Sequence, residues 1–176
     1  MPPLSIINAE NTIRLWCETL SNVPFYHANQ NIARNEGLYG TVRLTNVSPV
    51  GFPYRKMTDV IVDEEPCLNN DINQFVIVTL SINAYRIGAR DCLNTILASW
   101  SQQQSDDILY PANMAYEWSS DIRDLTTVIE GNFEERAQMD MMFNSMLEST
   151  EILQTIGTAQ FDFETFNRQF EVNEND

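Results

Sequence analysis

One histidine, three cysteines and a few acid pairs are the residues of this 176-residue chain that could do chemistry. His27 lies in VPFYHANQ, so a Ser-His-Asp or Cys-His mechanism would have to use it. No G-x-S-x-G elbow accompanies it, and beside Pro24, Phe25 and Tyr26 it reads as a packing or surface residue of a loop. A single histidine without a C-x-x-C pair does not make a zinc site. Asp63, Glu64 and Glu65 offer carboxylates to a metal, but no second ligand cluster stands near them and they read as a solvated hairpin loop. The pairs Glu134/Glu135 and Asp162/Glu164 have the residue type of hydrolytic carboxylates. Among twenty-five acids such pairs arise by chance, and no catalytic residue is assigned. Neither G-x-G-x-x-G nor a Walker A motif occurs, so no cofactor is expected.

The cysteines are Cys17, Cys67 and Cys92. Odd in number and widely spaced, they do not form a disulfide framework. Cys17 and Cys92 fall at apolar helix positions, where cysteine acts as a small buried hydrophobe.

Net charge is −15. From Glu130 onward there are eleven acids against two bases; the first 129 residues hold fourteen against eight. Such a chain does not wrap nucleic acid by neutralising phosphates. It suits a basic partner, a surface that must not adhere to DNA, or simple solubility. Nine of the ten basic residues are arginine, whose rigid fork is favoured at protein interfaces. SSDIRDLTT and GNFEERAQMD interleave arginine with acids, for pairing either across strands or between subunits.

These residues need elements to hold them. Asn8–Leu20 reads as a helix through Ile13, Trp16, Cys17 and Leu20, with Asn8 as N-cap. Residues 38–47 alternate as a strand, with Leu38, Val42 and Leu44 on one face and Gly40 between them. SPVGFPYRK is a turn or loop. In FVIVTLSINAY, Val76, Val78, Leu80, Ile82 and Ala84 share one face; Phe75, Ile77, Thr79, Ser81, Asn83 and Tyr85 share the other. A strand of a dozen residues spans roughly 40 Å at about 3.3 Å each, and its mixed second face marks it as central. Gly88 breaks it, a second helix carries Leu93, Ile96, Leu97 and Trp100, and SQQQSDD ends that helix.

Residues 113–129 are expected as an extended, bent strand with Met114, Tyr116 and Trp118 on one face. After a turn at 130–132, residues 133–147 should form the antiparallel partner, with Ala137, Met139, Met141 and Phe143 on one face. That register puts Arg123 and Asp124 near Glu134 to Arg136. IGTAQFDFETF is a last expected strand. The fold class is α+β, a mostly antiparallel sheet with two helices packed on one face. One domain is expected over residues 1–165, with a loose acidic tail at 166–176. No apolar run reaches a membrane span and no secretory leader is expected, so no membrane association is expected.

Together, FVIVTLSINAYRIGARDCLNTILASW and DIRDLTTVIEGNFEERAQMDMMF resemble the phage neck terminator, or tail terminator (tail completion), family of tailed bacteriophages. The resemblance rests on a strand ending at Tyr85, a helix from about Ala89, Ile122-Arg123-Asp124-Leu125-Thr126, and Glu134-Glu135-Arg136-Ala137, and it covers roughly residues 8–150. It implies a non-enzymatic virion protein of the tail or neck, assembled in the host bacterial cytoplasm. It also implies a homo-oligomeric ring, a hexamer, at the head-proximal end of the tail tube, which ends tube polymerisation. Its partners would be itself, the phage tail tube protein and the head-tail connector protein, with DNA passing the bore without specific binding. With the charge pattern, it nominates Asn83, Tyr85, Arg86, Arg123, Asp124, Glu135 and Arg136 as subunit-interface residues. The alternatives are a head-tail connector or stopper protein and, in another class, an acidic cytoplasmic protein that binds a basic partner or mimics DNA.

Overall fold

The computed structural model describes residues 6–28, 36–62, 65–129 and 132–154. Helix α1 runs Ile6–Ser21, β1 Phe25–His27, β2 Tyr39–Pro49, β3 Tyr54–Val62 and β4 Glu65–Tyr85. Helices α2 (Ala89–Ser99) and α3 (Gln103–Leu109) follow, then a 3-10 turn at Tyr110–Ala112. The chain continues through β5 (Ala115–Ser119), β6 (Arg123–Asp124), β7 (Thr127–Ile129), β8 (Asn132–Glu134) and β9 (Arg136–Gln154). The main sheet has the order β1-β2-β4-β9-β5, with β3 on β4 and β6 on β9; β7 and β8 form a separate hairpin. Only β1 against β2 is parallel among the registered pairs. The fold is α+β, as expected.

Two compact units are distinguished: Met1–Arg55 with Ile72–Ser149, and Lys56–Asp71 with Thr150–Asp176. In the first, the sheet has one apolar face. Val76, Val78, Leu80, Ile82 and Ala84 of β4 align with Val42 of β2 and with Ala137, Met139, Met141 and Phe143 of β9, all buried. Ala9, Ile13, Trp16 and Cys17 of α1 and Ala89, Cys92, Leu93 and Ile96 of α2 pack on that face in the same core. Each large apolar side chain so buried contributes about 1.5–3 kcal/mol. The Trp16 ring meets Phe143 edge-on at 5.7 Å, and its indole N–H donates to Ser105 Oγ. In the second unit Cys67 and Asn70 are buried, Thr150 Oγ1 donates to Asp71 Oδ1 at 3.0 Å, and Asn70 Nδ2 donates to Glu151 at 3.4 Å.

Several expectations shift. Helix α1 starts at Ile6, so Asn8 lies inside it instead of capping it. His27 belongs to β1, paired with Val42, not to a loop. SPVGFPYRK is mostly strand: only Val50–Pro53 turn, between Pro49 and Tyr54. β4 begins at Glu65, ten residues before Phe75. Within SQQQSDD helix α3 begins, at Gln103, and runs on to Leu109; it has no apolar stripe and is held by the tie from Ser105 to Trp16 and by burial of Leu109. Trp100 is exposed, and Cys92 with Ser99 shares the buried face of α2 instead. A bulge between Tyr116 and Trp118 breaks the expected common face, because Tyr116 sits opposite Phe143 but Trp118 opposite Met142. The strand expected over 113–129 is three short strands. Residues 130–131 of the expected turn, the acids Asp63 and Glu64, the expected strand IGTAQFDFETF and the acidic tail lie outside the described residues.

Gly40 has a specific packing reason. It lies opposite Phe25 in the parallel pair, and a Cβ there would come 2.1 Å from the Phe25 ring. Phe25 is itself buried and cannot swing into solvent without loss. Gly40→Ala is expected to destabilise the fold by about 1–3 kcal/mol, read as a lower urea midpoint at unchanged slope. Burial raises the thiol pKa of Cys17 well above its ordinary value, with the neighbouring Cys92 adding to it; burial raises Cys92 too. All three cysteines are free and buried. The native protein should therefore resist thiol reagents at neutral pH and take up three equivalents only after unfolding.

Candidate subunit interface

Of the nominated residues, Asn83, Tyr85, Arg123 and Arg136 belong to the face of the sheet away from the helices; Arg86 and Glu135 sit at the corner with α2, and Asp124 pairs with core-facing Ala137. Alternation places Ser81, Asn83 and Tyr85 of β4 beside Arg136, Gln138 and Asp140 of β9 on this side. They are tied to each other. Arg136 Nη2 donates to Asn83 Oδ1 at 3.2 Å, Gln138 Nε2 donates to Ser81 Oγ at 2.8 Å, and Asn83 Nδ2 donates to Ser81 Oγ at 3.4 Å. Residue sums in these pairs are constant, so β4 and β9 run in opposite directions here. Arg123 donates to Asp140, extending the chain of contacts to β6. At the other end Tyr39 and Tyr85 stack, with centroids 4.9 Å apart and planes 13° apart, and the Arg136 guanidinium lies 5.1 Å from the Tyr85 ring centre. A stacked aromatic pair adds about 0.5–1.5 kcal/mol and a partly exposed cation–π contact about 0.5–1 kcal/mol.

Most polar atoms of the lane are thus paired within one chain, while Arg136 Nε is buried without a hydrogen-bond partner among the described residues. Ser81 is 7% and Asn83 8% exposed, although both point away from the helices, because Arg136 and Gln138 lie across them. Asn83 is therefore covered by its own chain. Arg123 and Asp124 are exposed; Tyr85, Arg86, Glu135 and Arg136 are half-buried.

The corner between β4 and α2 uses two of these residues, Arg86 and Glu135. Arg86 has φ of 81° and Gly88 φ of 90°, both left-handed, which an arginine adopts only under constraint. Glu135 supplies that constraint. Its backbone oxygen accepts from Arg86 N at 2.8 Å; its carboxylate accepts from Gly88 N at 3.0 Å and from Arg90 N at 3.3 Å. Gly88 has no side chain with which to cap α2, so a carboxylate from the residue between β8 and β9 meets the N–H groups at the positive helix end. Arg86 Nη1 lies 3.8 Å from Glu134.

Arg123 and Asp124 pair with Gln138 and Ala137, one to two residues beyond the expected Glu134 to Arg136, since β6 is a separate strand after a break at 120–122. Asp124 Oδ1 instead accepts from the Thr126 hydroxyl at 2.6 Å and from Thr126 N at 2.9 Å; those bonds lower its pKa, the hydroxyl first. His27 Nε2 lies 2.9 Å from Asn11 Oδ1, and its Nδ1 3.4 Å from Glu10. Glu10 also accepts from Leu44 N at 2.7 Å, a donor beyond the end of the short β1. This cluster holds α1 to the sheet edge. Tyr39, Ser81, Gln138 and Asp140 complete the lane and were not nominated. Alternation put the last three on the right face; only the cross-strand register shows which neighbours they meet.

The lane offers paired amides, guanidiniums, phenols and carboxylates on a sheet face, and its chemistry is non-covalent contact. The fold so described is an α+β domain whose sheet is backed by helices on one face. The family model for the phage neck terminator protein matches residues 9–168, so the chain belongs to that family. Comparison with curated proteins gave no match. The chain is accordingly a structural component of the bacteriophage neck that associates with other phage tail and head proteins. No helix among the described residues is long and apolar enough to cross a membrane.

Glu135→Ala should lower stability by about 1–2 kcal/mol, the cost of losing a helix cap. Amide exchange at Gly88 and Arg90 should quicken selectively, which chemical-shift-resolved hydrogen exchange reads directly.

Proposed function

We propose that this chain forms a homo-oligomeric ring, a hexamer, at the head-proximal end of the phage tail tube. There it terminates tube polymerisation and joins the tail to the head connector protein. Tyr85, Arg86, Arg123, Asp124, Glu135 and Arg136, with Asn83 beneath them, are the subunit-interface residues. The observation that carries this reading is the tied polar lane. It gives a rigid second sheet face with its side chains already ordered, so a neighbouring subunit meets it at little entropic cost. The rim arginines and acids are complementary in kind and set register between identical copies.

A net charge of −15 also suits a ring whose bore passes DNA without gripping it. The role needs no catalysis and no cofactor. Assembly would take place in the cytoplasm of the host bacterium.

Electron microscopy of tails tests this. Tails assembled without the protein should be overlong and blunt; added protein should restore uniform length and place a ring at one end. Arg123→Glu removes an exposed arginine and its contact to Asp140, costing at most about 1 kcal/mol of stability. It should abolish end rings while leaving the circular dichroism unchanged. Protein bound to the connector but never to tubes would replace this reading with a stopper role, and a variant that caps as well as wild type would remove the lane from the interface.

A further inference from the structure

Two surfaces outside the lane match each other. The first is an open cleft of about 620 Å³ lined by Trp100, Asp106, Asp107, Tyr110, Pro111 and Tyr116. Trp100 stacks on Tyr116 at 4.7 Å, giving the cleft an aromatic wall, and Tyr110 on its rim is 79% exposed. Asp106 and Asp107 line it as acids and form no ion pair among the described residues; Asp107 accepts from Gln103 at 3.0 Å.

The second surface is the turn between β2 and β3. Phe52 at its tip is 96% exposed and Tyr54 62%. Arg55 and Lys56 follow directly and are exposed, and nowhere else in the sequence do two basic residues adjoin. Neither forms an ion pair among the described residues. The turn is held firmly: Val50 N donates to Phe75 O at 2.8 Å, Gln74 Nε2 donates to Val50 O at 3.0 Å, and Pro49 and Pro53 restrict the backbone on either side. A bare phenylalanine on a stiff turn costs little further entropy to bury and offers a large apolar area.

We propose that the Phe52 turn of one copy inserts into the Trp100–Tyr116 cleft of the next, with Arg55 and Lys56 set against Asp106 and Asp107. This rests on the ring reading and specifies one contact within it. Charge complementarity selects the occupant. In a chain of net charge −15, identical copies repel, and Arg55-Lys56 is the one paired concentration of positive charge able to meet an acidic cleft. The two surfaces differ, so the contact is head-to-tail, the type that closes into a ring when the rotation closes.

Crosslinking of mixed single-cysteine variants tests it. Full-length Val50→Cys, in the same turn, and Gln103→Cys, lining the cleft, alter exposed side chains while leaving Phe52, Trp100, Tyr110 and Tyr116 in place, and the native cysteines are buried. A short bismaleimide should join the two variants into a heterodimer, faster at low salt than at high salt. Asp106→Arg with Asp107→Arg added to the Gln103→Cys chain should abolish the product, and Arg55→Asp with Lys56→Asp on the other chain should bring it back. Ile87→Cys, highly exposed, serves as the control partner for Val50→Cys. Equal crosslinking to Ile87→Cys, or none to Gln103→Cys, overturns the insertion. If end rings still form on tails in that case, the ring reading stands and only this contact falls; if neither rings nor crosslinks form, both fall.

Discussion

The structure depends on β4 being covered on both faces. Lying between β2 and β9, it presents Val76, Val78, Leu80, Ile82 and Ala84 to the helices and Ser81, Asn83 and Tyr85 to the opposite side. A strand in that position must solve two different problems. The apolar row needs a close-packed partner layer, which α1 and α2 supply through Ile13, Trp16, Leu93 and Ile96. The polar row needs its hydrogen bonds made, since an unpaired buried amide or hydroxyl costs about 1–3 kcal/mol. β9 meets both demands at once, sending Met139, Met141 and Phe143 to the core and Arg136 and Gln138 across the polar row.

That double role couples the sheet face to the helix layer. Glu135 caps α2 and immediately precedes Arg136, which covers Asn83 and stands over Tyr85. A displacement of β9 at this point would uncap a helix and uncover a polar row together. The left-handed Arg86 is the strained joint of the same corner, and it persists because Glu135 takes its N–H and Glu134 faces its guanidinium. In the proposed ring such a joint would keep the lane ordered before a neighbour arrives, so that little entropy is lost on contact.

The charge distribution has a related consequence. An acidic chain resists non-specific association with nucleic acid and with itself, so its contacts must be concentrated where local charge or apolar area overcomes that repulsion. The rim of the lane and the aromatic cleft with its matching turn have that character.

Much of this was legible in the sequence because it depends on period alone. Alternation from Val76 to Ala84 and from Ala137 to Phe143 named the buried faces correctly, and the i, i+3, i+4 spacing of Ile13, Trp16 and Cys17 named the core side of α1. The motif of residues 122–126 and 134–137 pointed to the family to which the chain belongs. Period says which side a residue faces, not what stands opposite. The bulge at Tyr116–Trp118, the offset of Arg123 onto Gln138 and the helix within SQQQSDD were invisible for that reason: each is decided by a partner far away in sequence. The same holds for Glu135. The sequence nominated it as a subunit-interface residue, and only the approach of the chain before β9 to the start of α2 shows it as the cap that helix lacks.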